Sequence, residues 1–283
     1  MLDLSQTLNP FAPDVATMVA RNLAALRGYP DPTEATRMLA DAIAVDGDRL
    51  LLTNGGAEAI ALVAGELGGR VRSEPEFALH PRGNLGPIWR SDPHSPSGHL
   101  AGDDDEADVW DEAFYPLATG CWSAHRPGIV VGSLTKLFAC PGLRLGYVIA
   151  DDVERFARRQ PAWSVGSLAV AVVPQLLASC DLTDWSQSLA QARTELVDGL
   201  ADRGLTVDVG DAPWVLVHGT GLRARLAPHG VLVRDCASFG LTGVVRVAVP
   251  DAEGLARLLV ALDRVLDTTG PLLGPAADGA PSV

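Results

Sequence analysis

The first half of the chain alternates short apolar runs with polar or glycine-containing turns. Residues 50–52 are apolar and end in Thr53-Asn54-Gly55-Gly56, and a helix-like stretch at residues 57–67 follows directly. A buried strand, a glycine turn and a helix make one βα unit. Further apolar runs begin at Ile88, Val109, Ile129 and Leu145. This pattern predicts an open, mostly parallel sheet, and such sheets bind ligands at the carboxyl ends of their strands.

The pattern changes after about Arg159. Helical spacing covers residues 182–205 and 252–266, and short strand-like runs occupy residues 214–217, 231–234 and 244–249. Strands mixed with two flanking helices predict a smaller α+β domain. We therefore expect an N-terminal segment (1–26), a large α/β domain (27–165), a small C-terminal domain (166–267) and a disordered tail rich in Gly, Pro and Ala (268–283).

Composition narrows the classes of protein. The 283 residues carry 22 Lys and Arg against 35 Asp and Glu, a net charge of −13, and 47% are hydrophobic. The hydrophobic share excludes a mainly disordered chain, and the acidic balance argues against a nucleic-acid binder. The longest apolar stretch, residues 166–180, is too short to cross a membrane, so no membrane partner is expected.

Location and metal content are predicted from the same sequence. The first residues carry no basic and apolar leader pattern, which predicts a cytoplasmic protein. The four cysteines form no C-x-x-C pair, and His94 and His99 have no third ligand in view. We therefore expect no metal site and no disulfide framework.

One lysine motif stands directly after an apolar run. Ser133-Leu134-Thr135-Lys136 follows residues 129–131. An S-x-x-K motif can place a serine nucleophile beside an activating lysine, but the companion S-D-N and K-T-G tripeptides do not occur in this sequence. The alternative is an amine that forms a Schiff base with the aldehyde of pyridoxal 5'-phosphate. We favour this alternative.

Pyridoxal phosphate requires three further groups, and each has a candidate. Asp111 ends a strand-like run and can face the pyridinium nitrogen. The turn at residues 54–57 opens a helix and can cradle the phosphate, helped by Ser133 and Arg144. Arg246 can bind a substrate carboxylate. Because it stands inside the apolar run 244–249, it is either half-exposed on a sheet edge or held for an anion.

These segments resemble those of the fold-type I pyridoxal-phosphate enzymes, the class I/II aminotransferases. The resemblance is strongest to the branch of histidinol-phosphate aminotransferase and the cobalamin-pathway threonine-phosphate decarboxylase. It covers about residues 4–266. The matching segments are Leu8-Asn9-Pro10, Gly28-Tyr29-Pro30-Asp31-Pro32, Thr53–Glu58, Asp111-Glu112-Ala113-Phe114, Ser133–Lys136, Gly142–Tyr147, Val233–Leu241 and Val245-Arg246-Val247.

The resemblance implies a role for individual residues. Lys136 holds the cofactor and transfers protons, and Asp111 pairs with the pyridinium nitrogen. The cofactor phosphate is held by Gly56, Ala57, Ser133 and Arg144. Tyr29 implies a homodimer, because the corresponding tyrosine reaches the phosphate in the neighbouring subunit. Arg246 and Asn9 are the expected substrate-binding residues. His80 stands where an aromatic ring covers the cofactor, in Glu74-Pro75-Glu76-Phe77-Ala78-Leu79-His80, which resembles E-P-T-F-x-x-Y; an ordinary surface histidine is the other interpretation.

Departures from the family pattern fall around the cofactor ring. Asp92-Pro93-His94-Ser95-Pro96-Ser97-Gly98 stands in place of N-P-N-N-P-T-G, so Ser95 replaces an asparagine that binds the phenolic oxygen. Phe114 replaces a tyrosine that donates to the same oxygen. The gaps from Glu74 to Gly98 (24 residues) and from Gly98 to Asp111 (13 residues) are short for the family. The large domain is therefore expected to lack peripheral elements.

The predicted function is that of a pyridoxal-phosphate-dependent aminotransferase that acts through Lys136. Its substrate is an amino acid, and a phosphorylated side chain is one option. A threonine-phosphate decarboxylase-type enzyme of cobalamin biosynthesis is the first alternative, favoured by the R-D-C-x-S-F-G-L stretch at residues 234–241. The second alternative is a cofactor-binding protein with degenerate catalysis, suggested by Ser95, Phe114 and the shortened gaps.

Overall fold

The computed structural model describes residues 1–124 and 126–267, so the predicted tail at 268–283 lies outside the described residues. The strands are β1 (Leu2–Asp3), β2 (Leu50–Asn54), β3 (Arg70–Val71), β4 (Ile88–Ser91), β5 (Val109–Asp111), β6 (Ile129–Ser133), β7 (Leu145–Ile149), β8 (Thr206–Val209), β9 (Trp214–His218), β10 (Val231–Leu232), β11 (Arg234–Asp235) and β12 (Val244–Ala248).

The described residues form ten α-helices. They are α1 (Val15–Arg21), α2 (Thr33–Ile43), α3 (Gly56–Leu67), α4 (Tyr115–Thr119), α5 (Leu134–Leu137), α6 (Glu154–Ala157), α7 (Ser167–Ala178), α8 (Leu182–Ala201), α9 (Leu222–Leu226) and α10 (Ala252–Asp267). Within residues 1–124 and 126–267, none of these helices is long and apolar enough to cross a bilayer.

The large sheet has the strand order β2-β7-β6-β5-β4-β3. Strands β3 to β6 pair in parallel, and β7 pairs antiparallel with both β6 and β2. Strand β2 therefore runs in the same direction as β6, and β7 is the one reversed strand. The predicted α/β class and mostly parallel sheet are confirmed.

Strand direction brings the polar turns to one edge of this sheet. Because β2, β4, β5 and β6 run in parallel, Asn54, Ser91, Asp111 and Ser133 all lie at their carboxyl ends. The reversed strand β7 begins at the same edge, so Arg144, which precedes it, lies there too. The register pairs Ser133 with Gly146 and Asn54 with Leu145.

Helix α3 packs on the large sheet and forms its core. The buried side chains of this cluster include Ile60 and Val63 of the helix and Trp89, Val109 and Val148 of the strands. Apolar residues on one face of a helix and on successive parallel strands produce such a two-layer core. The cluster holds the turn that precedes α3 against the ends of β6 and β7.

The small sheet is antiparallel, with the order β11-β12-β9-β8. The predicted strand at residues 231–234 is wrong in one respect: it is divided at Val233, because Val231 pairs with Leu2 while Arg234 pairs with Arg246. Helix α8 ends at Ala201 and not at 205. The chain leaves the helix there and reaches Gly204, which has a φ of +71°.

Contacts divide the described chain into two compact units. The first unit holds residues 8–191 and 210–213, and the second holds residues 1–7, 192–209 and those from Trp214 onward. The predicted domain boundary at residues 165–166 differs from this division, because α7 contacts α1 and α2 within the first unit. The first unit contains the whole large sheet, and the second contains the small one.

Candidate cofactor site

Lys136 lies in the single turn α5, just beyond the carboxyl end of β6, and is partly buried. It is the only lysine in the sequence. The backbone N–H of Asn9 donates to the Lys136 carbonyl at 3.1 Å, and Asn9 Nδ2 donates to the Leu137 carbonyl at 3.0 Å. Asn9 is buried and thus fixes the lysine segment. Its predicted substrate contact stays a prediction.

Two glycines allow the β2–α3 turn to approach its neighbours closely. Gly55 has a φ of +77°, and a Cβ at this position would lie 2.5 Å from a guanidinium nitrogen of Arg144. A Cβ on Gly146 would lie 2.4 Å from the carbonyl carbon of Gly55. A side chain at either position would therefore force the turn away from Arg144 or from β7.

The same turn opens helix α3, whose first residue is Gly56. A Cβ on Gly56 would lie 3.3 Å from Ser133 Cβ, so the serine borders the helix start. The N-terminal N–H groups of a helix favour anions, and a guanidinium adds to that field. Ala57 and Arg144 are both exposed at this edge. We call Gly55, Gly56, Ala57, Ser133 and Arg144 the glycine cradle.

Asp111 ends β5 as a buried carboxylate with two fixed oxygens. Oδ1 accepts the Ala113 N–H at 3.1 Å, and Oδ2 lies 3.0 Å from His80 Nε2. An ionised carboxylate can only accept, so the hydrogen of the second contact belongs to His80. The predicted partner of a pyridinium nitrogen is therefore held in one orientation.

His80 is buried and does not lie at the protein surface. Its side chain is 0% exposed and packs against Phe77 and Trp89, with ring centroids 5.5 and 5.4 Å away. The surface interpretation is wrong. The ring contacts Asp111 from the protein interior, so the structure gives it a bond to the carboxylate, and its predicted stacking on the cofactor gains no support from this geometry.

Ser95 is buried in the segment that follows β4. Its contact with the phenolic oxygen of the cofactor, which the resemblance implies, stays a prediction. Its backbone N–H donates to Ser91 Oγ at 2.9 Å, and Ser91 Oγ in turn donates to Glu76 Oε1. Sequence analysis missed Glu76 and Ser91. The available signal for Glu76 was its acidic side chain in the segment E-P-E-F, because the family motif E-P-T-F has threonine at that position.

A second group of buried charges was also missed. Arg126 pairs with Asp92 at 2.6 Å and with Glu112 at 3.0 Å, and Ser123 Oγ donates to Glu112. Burial raises the pKa of Glu112 to about 7, although Arg126 and Ser123 act in the opposite direction. The guanidinium of Arg126 also lies 4.2 Å from the centroid of the Trp110 ring.

Arg126 connects the ends of two neighbouring strands. Asp92 directly follows β4 and Glu112 directly follows β5, and one guanidinium holds both carboxylates. Motif analysis could not find this contact, because Arg126 stands in an irregular segment 14 residues beyond Glu112 and belongs to no motif. We call Glu76, His80, Asp92, Asp111, Glu112 and Arg126 the buried charge network.

In the second unit, Arg246 lies on β12, an interior strand of the small sheet, so the edge interpretation does not hold. Burial lowers the pKa of Arg246 to about 10, and its Nε makes no hydrogen bond among the described residues. Its guanidinium lies 4.9 Å from the Trp214 ring centroid. Arg234 is its register partner on β11. Directly paired residues share a face, so two cations lie side by side.

Tyr29 is 80% exposed in the first unit, and its ring lies 4.5 Å from that of Trp163. An exposed tyrosine is compatible with the predicted contact to a neighbouring subunit, which stays a prediction. Across residues 1–124 and 126–267, no group of three or more His, Cys, Asp and Glu side chains is arranged to hold a metal ion.

The described residues fit pyridoxal phosphate. The glycine cradle offers helix N–H groups and a guanidinium to a phosphate. A Cβ on Gly55 would fill part of the space beside that guanidinium. Asp111 offers a fixed carboxylate to a ring nitrogen, and the only lysine of the chain lies at the same sheet edge. Each demand of the cofactor is met by a group of the right chemistry.

Comparisons with known proteins agree with this site. The sequence profile of the family "Aminotransferase class I and II" matches residues 109–262. The threonine-phosphate decarboxylase of Salmonella typhimurium is 36% identical over 185 residues, which cover 58% of this chain and 50% of that protein. Histidinol-phosphate aminotransferase 2 of Methylococcus capsulatus is 27% identical and covers 94% of this chain and 90% of its own length.

Solved structures share the fold. The histidinol-phosphate aminotransferase of Clostridium acetobutylicum superimposes with a TM-score of 0.81 at 20% identity, covering 95% of this chain and all of that one. The enzyme of the same name from Sinorhizobium meliloti, solved with pyridoxal 5'-phosphate, gives 0.79 at 16% identity, covering 94% of this chain and 91% of its own. The predicted fold type and cofactor are confirmed. The chain belongs to the aminotransferase class I and II family.

Proposed function

We propose that this protein is a pyridoxal-phosphate-dependent aminotransferase that acts on an amino acid with a phosphorylated side chain. The position of Lys136 supports this proposal most: the only lysine of the chain lies beside the glycine cradle and is fixed by Asn9. Pyridoxal phosphate, when bound, acts as an electron sink for a bond at the substrate Cα.

The residues of the chain divide the remaining work. The glycine cradle binds the cofactor phosphate, and Asp111 keeps a proton on the ring nitrogen through its fixed carboxylate. The amine of Lys136 would hold the cofactor through its aldehyde, with release of water, and would move the proton at Cα. Ser95 is the proposed hydrogen-bond donor to the phenolic oxygen. We also propose a homodimer in the cytoplasm, with Tyr29 at the subunit contact.

The phosphorylated side chain is proposed from the arginine pair. Arg246 is a desolvated cation suited to the substrate carboxylate, since its Nε lacks a hydrogen-bond partner among the described residues. Arg234 is exposed beside it, and one of its guanidinium nitrogens lies 3.4 Å from Ser238 Oγ. Two adjacent guanidinium groups repel each other unless anions lie between them, and a substrate with a carboxylate and a phosphate provides two.

Decarboxylation is the second candidate. The 36% identity to a threonine-phosphate decarboxylase favours it, and a decarboxylase uses the same lysine and carboxylate. Which bond at Cα breaks depends on the direction in which the substrate carboxylate is held. Arg246 is the residue proposed to hold it.

The experiment supplies two substrates and measures two products. The purified protein with added cofactor is incubated with threonine phosphate plus an oxo acid as amino acceptor. In a separate reaction it is incubated with histidinol phosphate, a phosphorylated amino alcohol without a carboxylate, plus the same oxo acid. Keto-product formation supports amino transfer, and carbon dioxide release from threonine phosphate supports decarboxylation. If neither product forms while the cofactor binds, the protein is a cofactor-binding protein with lost catalysis and the proposal is wrong.

An arginine substitution tests the phosphorylated side chain. Arg234→Ala is expected to raise KM for the phosphorylated substrate by about tenfold, because one charge-assisted contact to phosphate is lost. KM for the same substrate without its phosphate should not change. Arg223→Ala, a change on the neighbouring helix α9, is the control. Equal KM effects on both substrates would contradict the proposed phosphate contact.

A further inference from the structure

Two departures from the motif that resembles E-P-T-F-x-x-Y lie against each other in the structure. Glu76 stands in place of the threonine and His80 in place of the tyrosine. His80 Nδ1 lies 3.8 Å from Glu76 Oε1. Glu76 is 3% exposed and His80 is 2% exposed, so this contact is hidden from solvent. Of the described residues, His80 is the one with a basic side-chain nitrogen within 4 Å of the Glu76 carboxylate, and this Nδ1 makes no hydrogen bond to any of them.

The carboxylate of Glu76 is held firmly despite its burial. Oε2 accepts the Ser91 N–H at 3.0 Å, and Oε1 accepts the Phe77 N–H at 2.7 Å and the Ser91 hydroxyl. A buried carboxylate is costly unless such bonds compensate for lost water. With both oxygens engaged, Glu76 has a fixed position from which it can orient its neighbours.

Two arms lead from Glu76 to the predicted cofactor ring. The first arm passes through His80, whose Nε2 donates to Asp111 Oδ2 at 3.0 Å. The second arm passes through Ser91, whose Oγ accepts the Ser95 N–H at 2.9 Å. Asp111 and Ser95 are the residues expected at the nitrogen and at the phenolic oxygen of the ring.

The segment that carries Glu76 is itself held by an arginine. Arg82 donates to the carbonyls of Phe77 and Glu76 at 2.7 and 2.9 Å, and its Nε bonds Glu74 at 2.9 Å. A loop whose carbonyls converge on one guanidinium has few alternative conformations. This segment lies in the first shortened gap, so a short loop supplies the support.

We propose that Glu76 is a positioning residue that fixes both cofactor-ring contacts, Asp111 through His80 and Ser95 through Ser91. This inference rests on the proposed function and names the residue that orients its site. The geometry behind it is a buried carboxylate, 3% exposed, with two arms, in a chain that lacks the asparagine and tyrosine of the family pattern. In metal sites, partners that orient the binding side chains change metal affinity by about 10-fold or more when removed, and we expect an effect of that order here.

The first test uses the protein without cofactor and therefore does not depend on the proposed function. Proton NMR should show an exchange-protected ring N–H signal from His80 Nε2, assigned by its loss in His80→Gln. Glu76→Gln keeps the volume but removes the charge, and it should shift this signal. Glu154→Gln, an exposed control on α6, should leave the signal unchanged. An unshifted signal in Glu76→Gln overturns the proposal.

The second test measures pyridoxal-phosphate dissociation by titration of the cofactor-free protein. Glu76→Gln, His80→Gln and Ser91→Ala should each raise Kd by about tenfold, while Glu154→Gln should not. Ser91→Ala should keep the His80 signal, because it interrupts the other arm only. If Glu76→Gln fails to fold, His80→Gln and Ser91→Ala, which each interrupt one arm, decide instead. A wild-type Kd in both of these variants overturns the proposal. Failure of wild-type protein to bind cofactor would instead contradict the proposed function.

Discussion

The glycine cradle and the buried charge network lie at the same edge of the large sheet, yet they are held by different forces. In the cradle, Gly55 lies close to Gly146 of β7 because neither residue carries a Cβ, and the only charged side chain, Arg144, is exposed. In the network, carboxylates and cations with side chains at most 16% exposed pair across strand ends. Steric constraints define the first region and electrostatic compensation defines the second.

This difference predicts opposite responses to substitution. A cradle of glycines is sensitive to added volume, because each added Cβ meets a neighbour. A network of buried charges is sensitive to the removal of one partner, because the remaining charge is left without compensation in the protein interior. Three substitutions separate these responses.

The largest effect on stability is expected for Arg126→Ala in the network. Asp92 and Glu112 would lose their shared cation while remaining buried, which typically costs about 3–5 kcal/mol. Urea unfolding measures the change. Arg37→Ala, which removes an exposed double ion pair on α2, is the control and should cost about 0–1 kcal/mol. Similar losses in both variants would show that burial does not distinguish the network.

A smaller effect is expected for Gly55→Ala in the cradle. An alanine at a φ of +77° is strained by about 1–2 kcal/mol, and its Cβ would displace the Arg144 guanidinium. The Kd of pyridoxal phosphate should therefore rise by about tenfold. Gly65→Ala is the control: it lies in the last turn of α3 with no heavy atom within 4 Å of the new Cβ, and it should stabilise the protein by about 0.5–1 kcal/mol. Unchanged cofactor affinity in Gly55→Ala would contradict the cradle.

The smallest effect is a pH dependence at Glu112. Burial raises its pKa from 4.5 to about 7, so between these values the folded protein holds a proton that the unfolded chain releases. The contribution of this proton to stability is present at pH 5 and is lost as the pH rises towards 7. Glu112→Gln removes this dependence. The free energy of unfolding of the variant, relative to that of the wild type, should therefore rise by roughly 1 kcal/mol or more between pH 5 and 7. A constant difference across that range would show that the pKa is not raised.

The glycine cradle could be predicted from the sequence because its residues are close together along the chain or lie in recognisable motifs. Thr53–Glu58 and Gly142–Tyr147 were identified as segments, and the register of β2, β7 and β6 brings them together. The starts of β2, β4, β5, β6 and β7 and the mostly parallel sheet followed from apolar runs, whereas the two-residue strand β3 was not predicted. The division of residues 231–234 between two sheets did not, because pairing partners are set by tertiary contacts and not by local pattern.

The network could not be predicted in the same way. Glu76, Asp92 and Arg126 are far apart in sequence, and each is an ordinary charged residue in an irregular segment. His80 was recognised as a ring near the cofactor, but its bond to Asp111 depends on the packing of the loop at residues 74–82. Charge pairing across distant loops has no periodic signature, so it becomes visible only when the fold is known.

We propose that this chain binds pyridoxal phosphate covalently through Lys136. Borohydride reduction of the protein with bound cofactor, followed by peptide mass spectrometry, tests this bond. We expect a phosphopyridoxyl adduct on the peptide that contains Lys136, and no such adduct in Lys136→Ala. Since the sequence has one lysine, there is no other lysine to modify. A wild-type protein that binds the cofactor but yields an unmodified Lys136 peptide would contradict the account.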